Sequence, residues 1–378
     1  MALPRVPDRA GLRRIALRLA GGLPLPSRRP GSEFGRIALI RPDHLGDLVL
    51  AQPAIDRLRD ALPDATVDLW VGPWSAPVAA GIGGVAVRTL PFPGFERTPK
   101  RSPLAPYEVL SAAARRLRSD RYDAAIILRF DHWWGALLAK LSGIPVRIGY
   151  DQPDTSPLLT HRLPHRPGHH ETLQNATLVD CLVNLAGVQP TTDPPGRPSL
   201  SFPGEVTPNG LPEHFAIFHP GAGAPVKRWR PERFGEVARA LEERYGLAIA
   251  VSGSEAERPL VDQTIAALPG GAVPLVGLGL PILAAALRRA RLVLGPDSGI
   301  LHLASAVGTP TVRLYGPVDH ATFGPWSDPD SRVVVSPMLC VPCNRLDWPQ
   351  ELLPYHPCVR EIATERVLTA IDSLLGSR

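Results

Sequence analysis

Residues Arg36–Arg41 (RIALIR) run straight into Pro42-Asp43-His44-Leu45-Gly46-Asp47 and then into 48 to 62 (LVLAQPAIDRLRDAL), and the reading of this stretch decides the fold. The first six residues have the length and apolar content of a buried strand. Pro, Asp and Gly then mark a turn, after which apolar residues recur at helical spacing. This is one strand–loop–helix unit. The alternation returns with strands at 66 to 71 (TVDLWV), 85 to 90 (VAVRTL) and 124 to 128 (AAIIL), and with a helix at 107 to 118 (YEVLSAAARRLR). Strands that alternate with helices form a parallel, doubly wound sheet.

A fresh series follows in the second half, with strands at 215 to 218 (FAIF), 247 to 252 (LAIAVS), 291 to 295 (RLVLG) and 310 to 314 (PTVRL) and helical patterns between them. The stretches 151 to 170 and 189 to 212 are rich in Pro with His, Arg, Thr or Gly, and both read as loops. The expected organisation is therefore a basic extension and linker over 1 to 35 and a Rossmann-like domain over 36 to 205. A second such domain covers 206 to 360, and a terminal helix over 361 to 378 is expected to pack back on the first domain. Two domains also suit 378 residues, which exceed the usual ceiling for one core.

Hydrophobic residues at 44% and charged ones at 20% are globular values, and 44 prolines with 34 glycines imply many sharply ended elements. The net charge of +5 comes from arginines spread along the chain, not from a dense block. That favours an anionic small molecule or an acidic membrane surface and does not point to nucleic acid. No stretch is apolar for the roughly 20 residues of a membrane span, and no cleavable signal pattern opens the chain. A cytoplasmic protein is expected, at most peripheral on the inner face of the membrane. Residues 5 to 20 (RVPDRAGLRRIALRLA) mix Arg with Leu, Ile and Ala at helical spacing, which reads either as a basic tail or as a helix lying on an anionic bilayer.

In an open α/β sheet, ligands bind at the carboxyl ends of the strands. Asp47, at the end of the first such loop, reads either as a helix cap or as a general base that takes the proton of an attacking hydroxyl. Asp43 and His44 are rivals in the same loop and candidates for touching an acceptor, as is His170. In the second half, 219 to 227 (HPGAGAPVK) is a small-residue loop closed by one cation. Gly221 and Gly223 would let backbone N–H groups approach phosphate oxygens while Lys227 supplies charge. It is not a Walker A loop, since Gly-Lys-Ser/Thr is missing. Glu255, after 251 to 254 (VSGS), is placed either to accept ribose hydroxyls or to cap a helix. Asp297-Ser298-Gly299, between a strand and a helix, offers free N–H groups to a diphosphate, with His302 one turn on.

Taken together, RPDHLGD with the following Pro-containing helix, GAPVKRW, SGSEAER and GPDSGILHLASAVGTPTVRLYGP resemble the bacterial ADP-heptose heptosyltransferase family over roughly residues 36 to 375. The resemblance implies the GT-B fold, two facing Rossmann-like domains with a ligand cleft between them. It also implies inverting, metal-free transfer of a heptose from a nucleotide-diphosphate sugar to a glycolipid or glycan hydroxyl, as in lipopolysaccharide core synthesis. The donor is then a substrate and no cofactor is needed. The base falls on Asp47, and Lys227, Glu255, Asp297-Ser298-Gly299 and His302 fall around the donor. Arg41 and Pro42 depart from the Lys and small hydroxyl residues of the best-known lipopolysaccharide members, which bears on the acceptor more than on the fold. A GT-B sugar-nucleotide epimerase and a non-catalytic sugar-nucleotide binder are the alternatives.

Two further patterns are read as structural. Cys340, Cys343 and Cys358 with His356 have partial zinc-ligand spacing, but Cys358 and His356 nearly adjoin, so a loop tie or reduced thiols is the preferred reading. Asp328-Pro329-Asp330 is an Asp-x-Asp without a preceding apolar strand and reads as a surface turn. His161, His165 and His169, like His170, lie in a loop assigned to the first domain.

Overall fold

The computed structural model describes residues 9 to 24, 34 to 95, 105 to 204 and 206 to 376. Residues 5 to 8 of the basic segment and 25 to 33 of the linker lie outside the described residues. By its internal contacts the chain divides into two units. One comprises Met1–His44, Ala51–Pro167 and Thr172–Pro195; the other comprises Gly196–Arg378 together with the short pieces Leu45–Leu50 and Gly168–Glu171.

The elements of the first half are α1 (Arg9–Gly22), β1 (Arg36–Arg41), α2 (Leu45–Ala61), β2 (Thr66–Val71), α3 (Ala76–Ala79), β3 (Ala86–Thr89), α4 (Ala105–Asp120), β4 (Ala124–Ile127), α5 (Trp133–Leu141), β5 (Val146–Tyr150), β6 (His161–Leu163) and α6 (Glu171–Leu185). Its six strands are parallel in the order β3-β2-β1-β4-β5-β6. Strand β6 falls where a loop was expected. Its three residues are too short and too polar to show a strand pattern, and pairing with β5 (Ile148 opposite His161) makes them one.

The second half follows with β7 (Phe215–Phe218), α7 (Pro231–Tyr245), β8 (Ala248–Gly253), α8 (Arg258–Ala266), β9 (Val273–Val276), α9 (Leu280–Arg289), β10 (Leu292–Pro296), α10 (Gly299–Ala306), β11 (Thr311–Tyr315), α11 (His320–Phe323), β12 (Ser331–Val335) and α12 (Thr364–Leu375). Its parallel order is β12-β11-β10-β7-β8-β9. Counted from its own first strand, each sheet runs 3-2-1-4-5-6, the doubly wound order. The strand order reverses between β1 and β4 in one sheet and between β7 and β10 in the other, the switch points outside whose carboxyl ends such sheets generally bind ligands.

The β7 strand is buried throughout, and α7 packs on its sheet through Phe234, Val237, Ala238 and Leu241, which share one face at the i, i+3, i+4, i+7 helical spacing. Gly246 ends α7 at φ +62, donating its N–H to the Glu242 carbonyl at 3.0 Å in the left-handed cap that glycine adopts without strain. The terminal helix was expected to pack back on the first domain. Instead Val367, Ile371, Leu374 and Leu375 of α12 join the core under α7, β11 and β12, which use up its apolar face. No described helix is long and apolar enough to cross a membrane.

Candidate functional site

Four strand ends converge at the carboxyl edge of the second sheet. From β7 the chain enters His219, which is buried and shares a 3.0 Å hydrogen bond through Nδ1 with Ser252 Oγ of β8. Glu257 caps its own turn, accepting from Ser254 N–H at 2.9 Å and Ser254 Oγ at 2.8 Å. Its carboxylate also presses on the loop after β7. A Cβ at Gly221 would lie 2.3 Å from Glu257 Oε1, so a larger residue there would have to displace the Glu257 carboxylate. Gly223 faces open space.

Lys227 ends a short turn and places Nζ 2.8 Å from Oδ2 of Asp297, at the end of β10. Both side chains are about nine-tenths buried. Ser298 is extended and caps α10, and its Oγ is buried without a hydrogen-bond partner among the described residues. The first N–H groups of α10 are also free of helical acceptors, as at any helix start. Cation, helix start and unspent hydroxyl bring positive charge and hydrogen-bond donors to one place, the chemistry that an anion requires.

Behind them lies His302, buried, with Nε2 4.0 Å from Asp297 Oδ1 and Nδ1 3.1 Å from Nη1 of Arg313. A guanidinium only donates, so Nδ1 accepts and the ring proton sits on Nε2, toward Asp297. Burial first, then the charge of Arg313, holds His302 well below its ordinary 6.5. Arg313 is itself buried in β11 and donates to Thr311 Oγ1 at 3.0 Å. Tyr315 beside it donates to the Phe323 carbonyl at 2.9 Å, and its phenol is pushed up by burial and by Asp297.

The first turn of α2 groups with this second unit. Its N-cap is His44, which makes no side-chain capping bond, so Asp47 is the third helical residue and not the cap. The helix begins three residues earlier than its apolar pattern because Leu45 and Gly46 already have helical backbone. A Cβ at Gly46 would lie 3.1 Å from His302 Cδ2, and one at Gly299 would lie 3.1 Å from Leu45 Cβ. Two glycines thus allow the helix start that carries Asp47 to approach the helix start that follows Asp297. Asp47 is partly buried.

Asp43, four residues earlier, is only 2% exposed. Arg41 Nε lies 2.8 Å from its Oδ2, Arg129 Nη1 donates to its Oδ1, and its carbonyl accepts from Ser75 Oγ at 2.6 Å. Burial would raise this carboxyl, but the two guanidiniums outweigh it and hold the group below its ordinary value. A carboxylate so occupied is a poor base and a poor ligand for an acceptor. His44 is exposed, 6.1 Å from the ring of Trp74. His170, read as part of the first domain, groups with the second unit, where its ring lies tilted against Trp326 at 4.7 Å and shares a 3.2 Å hydrogen bond with the Gly324 carbonyl. Glu255 is exposed, paired with Arg258 at 2.8 Å, and stands against Gly277 in the loop after β9.

Residues 110–351, more than half of the chain, match the model of glycosyltransferase family 9 (heptosyltransferase). The chain belongs to glycosyltransferase family 9. It is 26% identical over 293 residues to lipopolysaccharide heptosyltransferase 3 of Escherichia coli, spanning 75% of this chain and 84% of that protein. Among solved structures, a family 9 glycosyltransferase from Veillonella parvula superposes with a TM-score of 0.74 at 21% identity, covering 92% of this chain and 98% of that one. The E. coli ADP-heptose lipopolysaccharide heptosyltransferase II superposes at 0.70 and 22% identity, covering 90% and 99%. These likenesses establish the GT-B fold, and family membership makes the protein a glycosyltransferase.

In this glycosyltransferase Asp328 is not a surface residue. Its carboxylate accepts from Ser305 and Ser331 and pairs with Arg197 at 3.1 Å, tying α10 to the turn before β12. The four cysteines are free thiols, with Cys340 and Cys343 exposed and Cys358 buried against Gly316. Among the described residues no group of three His, Cys, Asp or Glu side chains is arranged to hold a metal ion. Sequence reading missed Arg313 and Tyr315 behind Asp297 and the Arg41–Asp43–Arg129 cluster in the first unit. An arginine inside the otherwise apolar strand TVRLY was the available signal.

The glycosyltransferase also carries buried neutral histidines. Burial pushes His132 down to about 3 and lowers His219 as well as His302. The unfolded chain binds protons at these rings below about pH 6.5 and the folded chain does not, so their contribution to stability is full above that pH and declines as pH falls toward the folded values. The melting temperature is expected to drop already between about pH 6.5 and 5, and His132→Phe, which suits the surrounding Phe92, Phe95 and Trp134, should flatten that drop. A melting temperature constant over this range would refute the assignment.

Proposed function

We propose that this family 9 member transfers a heptose from ADP-heptose to a hydroxyl of a lipopolysaccharide-core or related glycan acceptor, in one inverting displacement that needs no metal. The observation that carries the reading is the close packing of the Asp47-bearing helix start on Gly299 and His302. It brings a carboxylate into the same unit as the anion receptor formed by Lys227, Ser298 and the start of α10. In this mechanism Asp47 takes the acceptor proton as the acceptor oxygen bonds to the anomeric carbon. The bond from that carbon to the diphosphate oxygen breaks, and its electron pair leaves with ADP. Lys227 and the N–H groups of α10 stabilise the charge that develops on the diphosphate. Asp297 holds Lys227 in place, and neutral His302 directs its Nε2 proton toward Asp297 and the bound donor. Glu255 is assigned to the ribose. The name of the E. coli relative supports heptose as the sugar and lipopolysaccharide as the acceptor class.

The test measures nucleotide release from ADP-heptose, and from UDP- and GDP-sugars, with and without a truncated lipopolysaccharide acceptor. Acceptor-dependent release of ADP is expected. Conversion of donor to a changed sugar without acceptor would identify an epimerase instead. Because protein cation and helix start neutralise the leaving group, EDTA is expected to leave the rate within about twofold. Full loss that Mg²⁺ restores would place a metal at the phosphates.

A further inference from the structure

We propose that α1 docks on an anionic lipid bilayer, with Leu12, Ile15 and Leu19, and Leu23 just beyond the helix, entering the headgroup boundary. The helix has two apolar sides. On one, Leu17 is 3% exposed and joins the core of the first unit. Lys140 Nζ donates to the Gly21 carbonyl, and a Cβ at Gly21 would lie 2.5 Å from the Pro157 carbonyl oxygen, so glycine lets the helix end settle on that turn. Arg13 and Arg14 pair with Asp154. The helix is therefore held in one orientation. On the other side Leu12, Ile15, Leu19 and Leu23 are 55%, 49%, 69% and 56% exposed. At 100° per residue these four fall within about 80° of one another, a single stripe along a helix about 21 Å long.

Charge selects the occupant. Residues 9 to 24 contain four arginines and no acidic residue. Arg18 is exposed and pairs with no acidic side chain among the described residues. With Arg13 and Arg14 already paired with Asp154, Arg18 flanks the stripe, and the same stripe of a second copy would offer it no acidic partner, whereas anionic headgroups accept it while the acyl boundary takes the leucines. This inference rests on α1 alone and does not depend on the donor or acceptor proposed above.

The test is sedimentation of the full chain with phosphatidylcholine vesicles, with and without phosphatidylglycerol. Wild type is expected to bind the anionic vesicles, less so at high salt. A Leu12→Glu, Ile15→Glu, Leu19→Glu triple variant should lose roughly tenfold or more in partitioning, and Arg18→Gln a smaller part. An unchanged melting curve would show that the variants fold, as expected for exposed positions. Equal partitioning of wild type and triple variant would overturn the proposal, as would failure of wild type to bind either vesicle. Conversion of a dimer to a monomer by the triple variant, with vesicle binding unaltered, would assign the stripe to a second copy and overturn it equally.

Discussion

Replacing Asp47 with Asn is expected to lower kcat by roughly 100-fold or more while leaving donor affinity within about twofold, as loss of a general base should. The substitution keeps the size and hydrogen-bonding shape of the side chain and removes only its capacity to take a proton. Asp47 sits in the first turn of α2, where negative charge is favoured by the helix dipole, so a small loss of stability should accompany the change. Asp43→Asn is the matched control, and the structure separates the two. Asp43 lies between two guanidiniums and is nearly closed to solvent, so its loss should appear first as a lowered melting temperature. If Asp47→Asn turned over at near-normal rate, or if Asp43→Asn abolished turnover in a fully folded protein, the base would not be Asp47.

The second large effect is expected at Lys227. Lys227→Ala removes the cation proposed to meet the diphosphate and strands Asp297, whose carboxylate is only 10% exposed and has Lys227 at 2.8 Å. A like charge then faces the incoming donor where an opposite one stood. We expect kcat/KM to fall by about 100-fold or more, shared between weaker donor binding and slower transfer, because the charge acts on both the bound and the departing diphosphate. Lys227→Ala combined with Asp297→Asn should recover part of the donor affinity, since the stranded charge is gone. The check is donor Kd by calorimetry together with single-turnover rates. Unchanged values for both would move the phosphate site elsewhere.

Much of this was legible locally. A strand of four to six apolar residues followed by a Gly, Pro or Asp turn and a 3.6-residue pattern is recognisable without its neighbours, so the doubly wound alternation of both halves was legible in the sequence. Where local signals fail, the readings failed. Strand β6 has no pattern of its own and exists by pairing with β5. Helix α2 starts before its apolar stripe, which changed Asp47 from a cap to a first-turn residue.

What the sequence by itself determined is therefore the inventory: two sheets of one topology, their order along the chain, and the residue types delivered to each carboxyl edge, because periodicity and turn chemistry are properties of a few adjacent residues. Only the tertiary structure decided which of those residues meet. Lys227 finds Asp297 seventy positions away, Asp43 is claimed by Arg129, His170 packs on Trp326, and α12 spends its apolar face on α7. A carboxylate or imidazole becomes a base, a tether or a buried prop according to the charge and solvent around it. Those surroundings are assembled from distant segments, so no local pattern encodes them.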